Sequence, residues 1–295
     1  MEKPPCVIGR LAGGLGNQLF MYAFAKGMAT RNRVPLKLDI ASGFIGDKTY
    51  KSKFLLGDIL PPEEIAGIWE SRLFPLGKLM RKLDRKFNGL LPLRKRYFIR
   101  ERCLHFDQEI FSLKVSRPTV FTGYWQSPKY FQDMKPGMAD LVHFPEPLIA
   151  PLANEAQAIQ AAGANAVCLA IRRFEEVPNP KHHILQLDYF QAAMAHIEKK
   201  VESPHYFIFA RTMDWARDHI KSRHPVTFAQ DKGMYAGALQ DLYLMTQCNH
   251  YIISNSTLSW WAAWLGSKPD SAVVAPEKGW GSSDILPSDW ITIAC

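Results

Sequence analysis

The sequence predicts an α/β protein built on parallel sheets. Three observations predict it. The second half alternates short apolar runs with helical patterns, the mark of successive βαβ units. The first forty residues read as strand, glycine turn, helix and strand, which is one such unit. The composition, 47% apolar and 22% charged over 295 residues, is that of a globular chain and excludes wholesale disorder.

The elements follow in order. Val7 to Leu11 is a short apolar run. Gly13-Gly14-Leu15-Gly16 is a turn, and Asn17 is placed to cap the next segment. Gln18 to Thr30 carries Leu19, Phe20, Ala23 and Gly27 at helical spacing, and Val34 to Leu38 reads as a second strand. Pro145 to Pro151 holds three prolines in seven residues and marks a boundary. At about 100–200 residues per domain, the length fits two modest domains, 1–150 and 151–295. Beyond the boundary, strands are expected at Ala166–Ile171, His205–Ala210, Pro225–Ala229, Tyr251–Ser254 and, last, Ala272–Ala275. Helices are expected at Ala153–Ala162, Tyr189–Val201, Asp214–Ser222, Gly237–Gln247 and Leu258–Leu265. The stretches 41–70 and 100–120 carry no readable pattern.

Charge is local. The chain carries a net +8, which favours an anionic partner. Residues 72–102 hold eleven lysines and arginines against two acids, Asp84 and Glu101, so the rest is slightly acidic. Leu76, Leu79, Met80, Leu83 and Phe87 form an apolar stripe, and Lys78, Arg81, Lys82, Arg85 and Lys86 largely fill the other positions. Such a helix suits an anionic membrane surface, and equally a solvated face over a core stripe. Aromatic residues do not interleave with the run as on a nucleic-acid surface, so no nucleic acid is expected. The five cysteines form no Cys-x-x-Cys pair, which argues against a disulfide framework and a zinc site. No apolar run reaches 18 residues, and the first residues lack a signal-peptide h-region. A cytoplasmic chain without a membrane anchor is the expectation.

Three motifs point to an anionic ligand. The glycine turn at 13–16 is neither a P-loop nor a dinucleotide fingerprint. It lets a ligand approach the backbone at a helix N-terminus, with Asn17 and Gln18 as side-chain donors, or it is simply a tight turn. Arg172 and Arg173 follow an apolar strand, at the carboxyl end where α/β sheets bind ligands. One can fork onto a diphosphate, or the pair can be salt-bridged to Glu175 and Glu176. Ser254-Asn255-Ser256-Thr257 joins a strand to a helix and forms a second anion cradle. Trp260, Trp261 and Trp264 on that helix suit core packing better than a sugar platform. His182 and His183 are adjacent and cannot be an i, i+4 metal pair, and no Asp-x-Asp motif is present.

The motifs together resemble a known family. Gly13-Gly14-Leu15-Gly16-Asn17-Gln18-Leu19-Phe20-Met21-Tyr22-Ala23 looks like the first motif of the galactoside α-1,2-fucosyltransferases, glycosyltransferase family 11. Gly123-Tyr124-Trp125-Gln126-Ser127-Pro128-Lys129-Tyr130-Phe131 resembles a mid-chain signature of that family. Ile253 to Leu265 is similar to its C-terminal motif, and Phe207-Ile208-Phe209 with Asp214-Trp215 also fits. The resemblance runs in order from about residue 7 to 293.

The resemblance implies a GT-B-like fold of two facing Rossmann-like domains, the first on the acceptor side and the second binding the nucleotide sugar. It implies GDP-β-L-fucose as donor, a galactoside hydroxyl of a glycan as acceptor, inversion to an α-linkage, and no metal or other cofactor. It implies Arg172 on the β-phosphate, with Arg173 in support. Gly14, Gly16, Ser254, Asn255, Ser256 and Thr257 join the donor site by the same resemblance, and Asp241 reads guanine. Asn17 faces the reaction centre, and Glu175 is the candidate base. A bacterial enzyme of surface polysaccharide synthesis, with a free or lipid-linked acceptor, fits a chain without an anchor. One stretch departs. The family pattern His-x-Arg-Arg-Gly-Asp-Tyr reads Ala170-Ile171-Arg172-Arg173-Phe174-Glu175-Glu176 here. The departure keeps two alternatives open, a transferase using a different GDP-sugar and a catalytically weakened glycan- or nucleotide-binding protein.

Overall fold

A computed structural model describes residues 4–45, 47, 51–60, 64, 86–135, 142–174, 183–211, 213–230 and 236–295. The chain divides into two units, Met1–His143 and Phe144–Cys295. The sequence expectation put the division at 150/151. Residues 144–150 go with the second unit because the Phe144 ring packs edge-on against Tyr243 at 5.4 Å, and the Glu146–Ile149 turn of helix packs on the Ala236–Thr246 helix.

Among the described residues the first unit holds a four-stranded parallel sheet. β1 (Val7–Arg10) pairs with β2 (Leu36–Asp39) on one side and with β4 (Thr119–Thr122) on the other; β3 (Phe98–Arg100) lies outside β4. The Leu15–Asn32 helix crosses over between β1 and β2 and is buried along most of its length. Gly9 of β1 lets that helix come close, since a Cβ there would lie 2.8 Å from the Ala25 Cβ. The other side of the helix is covered by aromatic rings. Phe24 stacks on Trp125 at 4.0 Å and 5°, and meets Tyr130 edge-on at 5.1 Å.

The second unit is a six-stranded parallel sheet in the order β10-β9-β8-β5-β6-β7. Its strands are β5 (Ala166–Ile171), β6 (His205–Ala210), β7 (Val226–Phe228), β8 (His250–Ile252), β9 (Val273–Pro276) and β10 (Ile291–Ile293). All six residues of β5 are buried, as a central parallel strand covered on both faces requires. Val167, Leu169, Tyr189, Phe190 and Ile208 anchor the core. Trp260 and Trp264 stack at 5.0 Å, Trp260 donates its indole N–H to the Ile285 carbonyl, and neither ring nor that of Trp261 is exposed. They are core, as their spacing suggests.

Three strands were not expected. β3, β4 and β10 are three or four residues long, no shorter than β1, β2, β7, β8 and β9, and β3 lies inside the basic run, where no apolar stretch marks it. Ala272–Ala275 is therefore not the last strand; β10 pairs beyond β9. The helix cap also differs. Gly14, extended at φ −73° and ψ 172°, is the N-cap, and Asn17 is the third residue of the helix, inside its first turn. Most of the basic amphipathic stripe, residues 72–85, falls outside the described residues.

Candidate active site

In each unit the chain steps from a first strand outward in one direction, then returns to the other side of that strand. The boundary between the two directions is where a crevice opens at the carboxyl ends of the strands. It lies between β5 and β8 in the second unit and between β1 and β4 in the first.

At the β5/β8 boundary the two predicted motifs meet through one side chain. Ser254 is fully buried, and its hydroxyl donates to the Ala170 carbonyl at 2.9 Å and accepts from the Arg172 N–H at 2.9 Å. This bridge fixes the start of the arginine turn to the start of the Thr257–Gly266 helix. It also commits the Ser254 hydroxyl proton to the protein, so Ser254 places the site without offering that proton to a ligand. The Asn255 amide nitrogen is committed too, while its buried side-chain oxygen accepts no hydrogen bond among the described residues. That nitrogen donates to the carbonyls of His183 at 2.9 Å and Gly279 at 3.3 Å, tying two loops under the cradle. Ser256 is the N-cap, is half-buried and makes no capping bond with its side chain. Thr257 opens the helix beside it, also half-buried. The first-turn N–H groups and the positive end of the helix dipole lie there.

Arg172 and Arg173 diverge, as adjacent residues must. The Arg172 guanidinium lies 4.6 Å from the centre of the Phe174 ring. The Arg173 guanidinium lies over Trp215 at 4.1 Å, and the His219 ring stacks on Trp215 at 4.7 Å. Phe174 has φ +61°, a left-handed conformation that costs a residue with a Cβ on the order of 1–2 kcal/mol. Such a backbone suits glycine, the residue that the resemblance implies at this position. Glu175, the candidate base, lies outside the described residues. Asp241 is half-buried on the Ala236–Thr246 helix. Its charge is felt at the Cys168 thiol in the middle of β5, which burial first, then Cys248 and Asp241, push well above the usual thiol range. Among the described residues no three His, Cys, Asp or Glu side chains gather into a metal set.

At the β1/β4 boundary Gly13 has φ +72° and Gly14 is exposed, with open space where a Cβ would project. Gly16 is buried in the first turn. Gln18 is not a ligand donor. It is fully buried, its amide nitrogen donates to the carbonyls of Gly13 and Lys53 at 2.7 Å, and its oxygen accepts from the Leu55 N–H at 3.0 Å. It clamps the glycine turn to residues 53–55. Asn17 is half-buried and accepts from the Gln126 side chain at 3.0 Å, which joins the first motif to the mid-chain signature.

The sequence reading missed three supporting residues. Arg10, at the end of β1, donates to the Ser42 hydroxyl at 2.8 Å, the Ser42 carbonyl at 2.7 Å and Thr122 of β4 at 3.3 Å. Gln126 aims at Asn17. Glu101 accepts from the N–H groups of Tyr124 at 2.7 Å and Trp125 at 2.8 Å, and so holds Trp125 at φ +54°. Burial raises the Glu101 carboxyl above its usual range, and these two bonds work against that rise. One signal was available: Glu101 is an acid kept inside a basic run.

One buried serine at the switch point ties the backbone of Arg172 to the loop that opens the Thr257–Gly266 helix, in an α/β unit with a parallel sheet. Residues 8–291 match the model of Glycosyl transferase family 11, and the chain belongs to that family. It is a glycosyltransferase. It is similar to an alpha-1,2-colitosyltransferase of Escherichia coli, 26% identical over 97% of this chain and 98% of that protein. The O-antigen biosynthesis glycosyltransferase WbnK of Escherichia coli is likewise 26% identical, over 96% and 99%. Among solved structures, the fucosyltransferase NodZ from Bradyrhizobium superposes at a TM-score of 0.50 with 17% identity, over 88% of this chain and 92% of that one. NodZ alpha-1,6-fucosyltransferase co-crystallized with GDP gives 0.51 with 16% identity, over 88% and 92%. At these identities the likeness is one of fold, and it places the chain among GT-B-like enzymes.

Proposed function

We propose that the chain moves L-fucose from GDP-β-L-fucose to a galactoside hydroxyl of a glycan, with inversion and without a metal, in bacterial surface polysaccharide synthesis. The observation that carries this is the Ser254 bridge, which puts Arg172 beside the first turn of the Thr257–Gly266 helix in a family 11 chain. In this reading the acceptor oxygen bonds to the anomeric carbon as the bond to GDP breaks. The acceptor proton passes to a base, for which the sequence nominates Glu175. Arg172 and the helix N–H groups take up the charge that develops on the leaving diphosphate, where other enzymes use a cation. Arg173 supports the turn, Asp241 reads the guanine, and Asn17 is the catalytic candidate of the first unit. Incubation with GDP-fucose and a panel of free and lipid-linked galactosides, in excess EDTA, is expected to give a product heavier by one deoxyhexose. Loss of turnover on chelation contradicts the metal-free step, and no product with any GDP-sugar contradicts the reading as a whole.

A second reading, transfer of a different GDP-linked sugar, is favoured by the name of the colitosyltransferase relative and by Phe174 in a glycine position. Product mass across a donor panel separates the two.

We also propose that the enzyme works on the inner face of the membrane as a peripheral protein. No described helix is long and apolar enough to cross a membrane. Asn88, buried, pins residues 86–90 to the start of β3 by accepting from Tyr97 N–H at 3.0 Å and donating to the Phe98 carbonyl at 2.6 Å. On that platform Phe87 and Leu90 are 67% and 77% exposed, next to the exposed Lys86, Arg94 and Lys95. Exposed apolar side chains with exposed cations close in sequence suit an anionic lipid surface. The protein is expected to sediment with phosphatidylglycerol vesicles and not with phosphatidylcholine vesicles. Phe87→Glu with Leu90→Glu is expected to weaken this at least about fivefold. Equal sedimentation with both vesicle types contradicts it.

A further inference from the structure

We propose that Phe174 is a positioning residue for Arg172: its ring sets the plane of the guanidinium that meets the donor diphosphate. This rests on the reading of Arg172 as the diphosphate ligand.

The observations are three. Phe174 occupies a left-handed backbone, φ +61°, which few residues other than glycine, asparagine and aspartate adopt. A bulky aromatic there is out of place by backbone preference alone. Its ring lies 4.6 Å from the Arg172 guanidinium, within the range of a cation–π contact. The backbone of Arg172 is held separately, by Ser254. So the serine fixes where the arginine starts and the ring bears on where it ends. Arg173 repeats the arrangement with Trp215 at 4.1 Å, so both guanidinium groups of the turn rest on aromatic faces. A planar fork pre-organised in this way loses less freedom when it binds a diphosphate. With glycine at 174 the backbone would relax and the arginine would lose that support. Backbone strain and arginine order therefore pull in opposite directions at this position, which makes the role testable.

The experiment measures thermal unfolding and GDP affinity, by calorimetry, for the parent, Phe174→Gly, Phe174→Tyr, Arg172→Lys and the Arg172→Lys/Phe174→Gly double variant. Phe174→Gly is expected to unfold at the same or a higher temperature than the parent, yet to bind GDP about five- to tenfold more weakly. Phe174→Tyr keeps the ring and is expected to stay within about twofold of the parent. In the Arg172→Lys background, with no planar fork to orient, Phe174→Gly is expected to change GDP affinity less than about twofold. Parent-like affinity in Phe174→Gly overturns the proposal. So does a loss of affinity that tracks a loss of stability and is not rescued by tyrosine, or an equal loss in the lysine background. A parent that binds GDP with an unchanged affinity in Arg172→Lys overturns the reading of Arg172 itself, which is a different result.

Discussion

Arg172→Ala is expected to cut kcat/KM for the donor by about 10²–10³-fold, the usual consequence of removing one group aimed at developing transition-state charge. GDP affinity is expected to fall as well, because in the proposed reading the guanidinium meets the diphosphate. The fold should survive. Ser254 bonds the backbone N–H of Arg172, which alanine keeps, and the side chain is only half-buried. An unchanged unfolding temperature therefore accompanies the expected loss. Arg172→Lys keeps the charge without the planar fork and should fall between the two. An alanine variant within threefold of the parent would remove Arg172 from the chemistry.

Glu101→Ala is expected to have the largest effect on stability, about 2–4 kcal/mol, from the first unit. Two hydrogen bonds to an ionised acceptor are lost, at about 1.5–3 kcal/mol each, with water able to replace the one at the exposed Tyr124. Trp125 then loses the bond that fixes its left-handed N–H, and keeps the Ser127 N–H on its carbonyl at 2.9 Å and its ring stacked on Phe24. The damage should reach activity through Gln126, the next residue, whose amide donates to Asn17. Glu101→Gln retains the volume and one acceptor oxygen and is expected to lose roughly half as much. Urea unfolding followed by tryptophan fluorescence reads the difference. Parent-like midpoints for both variants would show that Glu101 does not hold the turn.

The sequence was most legible where a single element carried its own pattern. β5, β6 and the Ala153–Ala162 helix were readable to the residue, because unbroken apolar runs and a clear helical period announce them. β3, β4 and β10 were not: β3 ends on Arg100 inside the basic run, β4 is bounded by Thr119 and Thr122, and β10 has Thr292 at its centre, so no unbroken apolar run marks them. The same division holds at the site. Arg172, Ser256 and Thr257 sit at strand and helix ends that local pattern predicts. The supporting residues depend on pairing at long range: Arg10 meets Thr122 across 112 positions, and Gln126 meets Asn17 across 109. Residue type misleads in such places. Gln18 and Asn255 look like ligand donors beside a glycine turn and an anion cradle, and their amides are instead spent on backbone groups of other loops. Phe174 shows the reverse case. The departure from the family pattern was visible in the sequence, but only the structure gives the φ angle and the ring beneath Arg172 on which the proposed role rests.

The most direct test of the donor site is a crystal structure of the protein with GDP. The diphosphate is expected at the carboxyl ends of β5 and β8, with a phosphate oxygen within about 3 Å of the Arg172 guanidinium and another facing the N–H groups at Ser256 and Thr257. A diphosphate bound elsewhere, with Arg172 and that helix end untouched, would contradict the assignment.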